Sequence, residues 1–495
     1  MSGASWQERD ASDVTSSEHC LSATRALCHS CGELVEAKIV LQGDAVYLSK
    51  WCPEHGTSRA LICSDRDWYL RAQSYIKPGT SPLARAVERF EGCPESCGLC
   101  PRHQQHSCVP ILEITGACDM SCPICLVDGH TGATMKLAEV EGILDALVRY
   151  EGQLNMLNIS GGEPTVHPDF MRIVDACLRP EIGVVSVSTN GLWLAEDEDR
   201  IKALRDRGVV ISLQCDGFTA ETGRRLRGRE DLGEIKRRLI ERAVALGARV
   251  SLTVTLARGV NEHELPGILE LFFAHDEILS VMVQPVAHSA DTLAHLGADP
   301  LDIITIPDVV RLLAAGSGGV LREQDFTPLP CSHPSCFALT YLLRTTDGKL
   351  VSLPSMLDTE TYLDVIKNQA LFGADSDSLY RLKDAVTSLW SSDGQVPDRD
   401  SILRTVKQLM LDLNRLGAGA SHREVLELGV KNVKSIFIHH FMDRYTFDQS
   451  RLVKCCNHYP QIDGRLLPAC GRNNLTAAAA TQRPPRGEPG SQGQA

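Results

Sequence analysis

Three thiolates stand close together in Cys118-Asp119-Met120-Ser121-Cys122-Pro123-Ile124-Cys125. Their C-x3-C-x2-C spacing suits an iron–sulfur cube held at three corners, its fourth iron left without a protein ligand. An iron with an open position is a place for chemistry, whereas a cube with four cysteine ligands chiefly carries electrons. The run just before, Val109-Pro110-Ile111-Leu112-Glu113-Ile114-Thr115, reads as a buried strand. The thiolates therefore fall on a loop at a strand's C-terminal end, where barrel-like α/β folds build their active sites. One βα unit later, Asn158-Ile159-Ser160-Gly161-Gly162-Glu163-Pro164 follows a second strand. Its glycines let a ligand approach the backbone, Glu163 adds a carboxylate acceptor, and Pro164 stiffens the exit. Alone, Gly-Gly-Glu-Pro is an ordinary strand-to-helix turn. Its place after an open-cluster motif is what gives it weight.

The elements that must position these groups alternate regularly. Strand patterns cover 109–115, 154–159, 184–188, 209–215, 249–256 and 280–286, with helical patterns at 136–149, 167–178, 197–207, 230–247 and 262–274 between them. Six βα steps imply a parallel sheet with helices outside, a partial (β/α)6 TIM-like barrel when curled and a doubly wound sheet when flat. Around this core, spanning 109–300, the chain divides into a disordered tail at 1–24, a small metal-ribbon module at 25–75, a cysteine-rich segment at 76–108, a mostly helical cysteine-bearing region at 301–475 and a low-complexity tail at 476–495.

With 495 residues, 19 of them cysteine, the chain is long enough for more than one domain. It shows no apolar run able to cross a bilayer and no secretory leader pattern, so the expected location is cytoplasmic, with room for peripheral membrane contact. There, clustered cysteines more often bind metal than form disulfides. A formal net charge of −13 argues against nucleic acid as a partner.

The remaining cysteines fall into groups. Cys28-x2-Cys31 and Cys52-x2-His55 are paired knuckles suited to one tetrahedral ion, zinc or rubredoxin-like iron, with Cys63 a rival for His55. Cys93, Cys97 and Cys100 repeat the C-x3-C-x2-C spacing with Cys108 at hand, which reads as a closed auxiliary [4Fe–4S] cluster. Cys331, Cys336, Cys455, Cys456 and Cys470 provide one more cluster with one cysteine to spare, or a structural zinc site. Cys20, Cys63, Cys177 and Cys215 read mostly as small buried hydrophobes. His439 and His440 lie in a region facing the barrel, as polar contacts, proton donors or satisfied structural groups.

The cysteine loop paired with Gly-Gly-Glu-Pro resembles the radical S-adenosylmethionine (SAM) superfamily. That resemblance implies that the open iron chelates the methionine moiety of SAM and that a reductively released 5′-deoxyadenosyl radical abstracts hydrogen from an unreactive C–H bond. It also implies cofactor contacts from strand ends: Ser160, Gly161, Gly162, Glu163, Ser188, Asn190, Gln214, Asp216 and Gln284. A low-potential flavodoxin- or ferredoxin-type electron donor is the implied partner. More narrowly, the knuckle Cys52-Pro53-Glu54-His55-Gly56, the stretch Gly92–Cys108, the segment 329–343 and the run Phe447-Asp448 through Cys455-Cys456-Asn457-His458-Tyr459-Pro460 resemble the tetraether lipid synthase family, also described as dihydropterin methylases. Two chemistries follow. The expected one joins lipid alkyl chains through a new C–C bond. The alternative adds a one-carbon group, drawn from a folate derivative, to a pterin or other small molecule. An iron–sulfur electron carrier or regulatory protein stands as a reading of a different class.

Overall fold

The computed structural model describes residues 18–89, 92–93, 97–126, 133–368, 380–381, 383–384, 398–417 and 420–481. Strands β1 (His19–Leu27), β2 (Leu34–Gln42), β3 (Ala45–Cys52) and β4 (Gly56–Cys63) form an antiparallel sheet in sequential order. Along β3 the alternation is plain: Val46, Leu48, Lys50 and Cys52 are buried, and the residues between them are not. β1 opens at His19, inside the stretch expected to be a tail, because its pairing with β2 (Leu27 opposite Leu34) draws it into the ribbon.

A second sheet has eleven strands. Its centre is parallel: β5 (Val109–Glu113), β6 (Leu154–Ser160), β7 (Ile182–Thr189), β8 (Val210–Gln214), β9 (Val250–Leu256) and β10 (Ile278–Pro285). These are the six strands expected from the sequence. Residues 301–475 carry the expected helices, among them Ile306–Gly316, Thr359–Ile366, Arg399–Leu416 and His422–Asn432. They also carry β11 (Phe337–Arg344), β12 (Leu350–Ser352), β13 (Val433–His439), β14 (Asn457–Pro460) and β15 (Leu466–Pro468). β13 joins β10 in parallel, followed by antiparallel β11 and β12, while β14 and β15 extend the opposite edge beyond β5. The run Phe337-Ala-Leu-Thr-Tyr-Leu-Leu is buried at every position. Such a run has no period to separate strand from helix.

The helix Leu137–Glu151 shows how the layers meet. Glu139 reaches back to the Lys136 amide (2.7 Å), and Gly152 at φ +73° stops the helix. Val140, Ile143, Leu144 and Leu147 recur on one face and are buried. They pack with Leu157, Ile159, Val185 and Val187 in the same core, which are the outward residues of β6 and β7. The alternate residues, Asn158, Ser186 and Ser188, line the inner, concave face. The result is a partial barrel with an apolar outer core and an interior that is polar along its middle and apolar elsewhere. None of the described helices is long and apolar enough to cross a membrane.

Candidate active site

The cysteine loop is rooted by the two glycines. Gly162 N donates to Thr115 O (2.8 Å) and Glu163 N to Ala117 O (2.8 Å). A Cβ on Gly161 (φ +150°) would overlap the Thr115 carbonyl, and one on Gly162 would overlap the Ala117 carbonyl. The close approach these glycines permit is thus that of the loop's own backbone. Their place in the wall of a neighbouring cavity comes in addition.

That cavity, of about 190 Å³, is lined by Cys118, Cys122 and Cys125 together with Ser160, Gly161, Gly162, Glu163, Ser188, Asn190 and Gln214. Cys125 is exposed, and Cys118 and Cys122 are half-buried. Burial pushes the Cys118 thiol up to about 11 and raises that of Cys122, which Arg227 partly offsets. Three converging thiolates beside a backbone cradle fit an iron–sulfur cluster with a small ligand next to it. Glu163 is buried. Its Oε1 accepts from Thr165 N (3.2 Å), Thr165 Oγ1 (2.6 Å) and Thr189 Oγ1 (2.8 Å), and its Oε2 accepts from Asn190 N (2.6 Å). Burial raises this carboxyl's pKa against the pull of those donors. The side chain thereby joins the ends of β6 and β7. Asn190 Nδ2 in turn donates to Asp119 Oδ1 of the cysteine loop (2.6 Å).

Two expected cofactor contacts are placed elsewhere. Asp216, 4% exposed, lines neither large cavity of the barrel. It accepts from Arg227 (Nε to Oδ2 2.7 Å, Nη2 to Oδ1 3.2 Å), from Thr255 N (2.8 Å) and from the Gln214 amide. Gln284 lines the larger cavity instead, with Nε2 3.2 Å from Met282 Sδ. Sequence reasoning passed over Arg227. It ends the helix Ala220–Arg227, lies beside Cys122 and faces both cavities. The fork-to-carboxylate pairing with Asp216 fixes it there. One more arginine at a helix end carries no signal in the sequence.

The larger cavity, of about 440 Å³, shares Ser160, Ser188, Ser212, Gln214, Arg227 and Thr253 with the smaller one. Its middle is a belt of hydrogen-bonding groups. Ser186 and Ser188 donate to Asn158 Oδ1 (2.9 and 3.1 Å), and Ser251 and Ser280 share a hydrogen bond (2.6 Å). Its floor is apolar, with Met156, Val184, Val210, Leu279 and Val433 near the strands' N-terminal ends. Aromatic rings from β11 and β13 close one side.

The ribbon knuckles converge as expected. Cys28, Cys31, Cys52 and His55 offer ligand atoms that all lie within 4.8 Å of one another, the one such set among the described residues. His55 Nδ1 is 3.5 Å from Cys52 Sγ and 3.7 Å from Cys28 Sγ. Burial opposes ionisation of Cys28, but amide donors from Cys31 and Ser30 outweigh it and hold the thiol at about 7. Cys63 stays apart, its Sγ turned to Asp65 O (3.2 Å) and its thiol pushed by burial up to about 12. Cys177 and Cys215 are likewise buried and pushed to about 12.

The other cysteines are sorted differently from their spacing. Cys97 neighbours Cys93 and Cys100. Cys108, expected as their fourth partner, lies against Cys456 with Cys331 beside it. The cause is strand pairing: β14 runs parallel to β5, and Cys108 N donates to Cys456 O (2.9 Å). Cys455 faces Cys470 and Cys336. His440 is buried, its amide on Cys336 O (2.9 Å), whereas His439 lines the larger cavity.

Comparison with known proteins follows the same outline. The radical SAM superfamily matches residues 112–272, and the HMPTM N-terminal zinc ribbon domain matches residues 20–64. The chain is 26% identical over 494 residues to 7,8-dihydro-6-hydroxymethylpterin dimethyltransferase of Methanocaldococcus jannaschii, covering 91% of this chain and 93% of that protein. It is 29% identical to a probable GTP 3',8-cyclase of Methanothermobacter marburgensis, over 55% of this chain and 90% of the other. Among solved structures, coproporphyrinogen III oxidase from Escherichia coli matches with 13% identity and a TM-score of 0.32, over 66% of this chain and 89% of that one. Of the two halves of the expected finer resemblance, the pterin half has a similar relative in the Methanocaldococcus jannaschii protein, and the tetraether half is not shown. With the cysteine loop and its glycine cradle both inside the matched stretch of one parallel sheet, residues 112–272 form a radical SAM domain.

Proposed function

We propose that this protein is a radical SAM C-methyltransferase acting on a reduced pterin or a closely similar small heterocycle. The observation that carries this reading is the larger cavity, about 440 Å³, belted at its middle by hydroxyl and amide groups above an apolar floor and adjoining the cysteine loop. Similarity along nearly the full length to a protein named as a dihydropterin dimethyltransferase supports it. In this reading Cys118, Cys122 and Cys125 hold a [4Fe–4S] cluster with one open iron, and Ser160, Gly161, Gly162, Glu163, Ser188, Asn190 and Gln214 wall SAM. Once reduced by a low-potential flavodoxin- or ferredoxin-type donor, the bound group supplies a carbon radical able to take hydrogen from an unactivated C–H bond. The chain's own residues bind and orient. Arg227 presents a fixed cation to both cavities, and the belt around Asn158 reads polar edges. Cys93, Cys97, Cys100, Cys108, Cys331, Cys336, Cys455, Cys456 and Cys470 provide one or two auxiliary [4Fe–4S] clusters, and the ribbon takes one iron or zinc ion. A folate derivative is the expected carbon donor.

The test is anaerobic turnover of the reconstituted chain with SAM, a reductant and 7,8-dihydro-6-hydroxymethylpterin, read by mass spectrometry. 5′-Deoxyadenosine together with a methylated pterin supports the proposal. SAM cleavage with the pterin untouched across added carbon donors rejects the substrate and keeps the chemistry. An electron carrier makes no 5′-deoxyadenosine at all. A second reading, coupling of lipid alkyl chains, is favoured by the apolar floor of the cavity. It predicts loss of a chain-coupled lipid from the host when the gene is removed, restored by the wild-type gene but not by a Cys122→Ala copy.

A further inference from the structure

Beyond the groups used so far, one buried side chain in the wall of the larger cavity has unused hydrogen-bonding capacity. His439 ends β13, is 4% exposed and lines that cavity. Its imidazole stacks on Phe337, with centroids 4.1 Å apart and planes 14° apart, and packs on Phe441 at 3.9 Å. Phe337 is also its direct partner across the β11–β13 pair. The two rings leave the imidazole little freedom to turn. Nδ1 is buried without a hydrogen-bond partner. That atom is turned away from the cavity; among the described residues no hydrogen bond reaches Nε2, the ring nitrogen left open to it, and a ligand in the cavity can supply one. Burial also holds the ring neutral, pulling its pKa down to about 3. A neutral imidazole offers one donor and one acceptor.

The height of His439 in the barrel is set by register. Val283 opposite Ile438 is the last pair between β10 and β13, so His439 comes next, level with Gln284 at the strand ends that carry the cysteine loop. A planar nitrogen heterocycle presents donors and acceptors along its edge. An alkyl chain presents neither and would leave Nε2 unpaired.

Resting on the pterin reading above, we propose that His439, fixed between Phe337 and Phe441, is a specificity residue that reads the hydrogen-bonding edge of a planar nitrogen heterocycle in the larger cavity. His439→Phe keeps a ring for both neighbours and removes the nitrogens. His439→Gln restores a polar atom near the Nε2 position. The experiment measures binding of 7,8-dihydro-6-hydroxymethylpterin, and of SAM in parallel, to the anaerobically reconstituted full chain by equilibrium dialysis. The expected result is pterin affinity down by about tenfold or more in H439F and within about threefold of wild type in H439Q, with SAM affinity unchanged in both. Wild-type pterin affinity in H439F overturns this proposal alone. A wild-type chain that binds SAM but no pterin overturns the pterin reading and this role with it. His439→Leu serves as a second apolar variant, and parallel loss of both ligands in H439F and His439→Leu makes His439 a packing residue and overturns the proposal.

Discussion

The ribbon and the barrel mouth both gather cysteines, and they do so in opposite ways. In the ribbon, four donors from two short knuckles lie within 4.8 Å of one another, a set that saturates a single ion. At the mouth, three thiolates from one loop border a cavity whose other walls come from β6, β7, β8 and β9. A closed donor set lends stability, and an open one beside a cavity leaves a coordination position for a reaction partner. The ribbon nonetheless connects to the barrel. Lys50 of β3, 3% exposed, donates to Leu27 O (2.7 Å), Arg444 O (3.0 Å) and Tyr445 O (2.9 Å), and His29 stacks on Tyr445 at 5.3 Å. Arg444 and Tyr445 follow shortly after His439 and Phe441, so the ribbon braces the segment that closes the cavity wall.

The sharpest way to break this contrast is to remove one site at a time. Cys122→Ala should lower 5′-deoxyadenosine formation by about three orders of magnitude or more, with ribbon metal retained in elemental analysis. Cys52→Ser should do the reverse, losing ribbon metal and lowering the thermal midpoint while the folded fraction still cleaves SAM. If either variant empties both sites, the two regions are not independent. A smaller effect is expected from Gly162→Ala. The added methyl group must displace the loop carbonyl at Ala117, so SAM cleavage should fall by about a hundredfold with the fold kept by circular dichroism. The smallest effect concerns the bracing segment. Asp443 accepts from the His288 amide (2.9 Å) and from Thr446 and lies 3.3 Å from Nδ1 of the His288 ring, and although burial opposes ionisation, the His288 ring and these donors together hold its carboxyl at about 2. An unfolded aspartate takes up its proton near pH ~4. Between those values the unfolded chain binds more protons, so this contribution is fully present above pH ~4 and is lost as pH falls towards 2. Asp443→Asn should flatten that part of the acid-unfolding curve measured on metal-free protein.

Sequence alone determined the local devices. The ribbon ligands, the cysteine loop, the Gly-Gly-Glu-Pro turn and all six parallel strands were legible because each depends on neighbours a few residues away: a knuckle is a turn, and a strand or helix is a period. Tertiary structure decided the rest. Cys108 leaves Cys93, Cys97 and Cys100 for Cys456 because β14 docks beside β5, a pairing between distant segments that no local pattern encodes. Arg227 enters the site because Asp216, just beyond the end of β8, and Thr255 of β9 aim it there. His439 becomes cavity wall because β13 joins the sheet at β10, and the run Val433-Lys434-Ser435-Ile436-Phe437-Ile438-His439 does not say which sheet it will join or on which side. Periodicity fixes which residues share a face. Only the packing of distant strands fixes what that face meets.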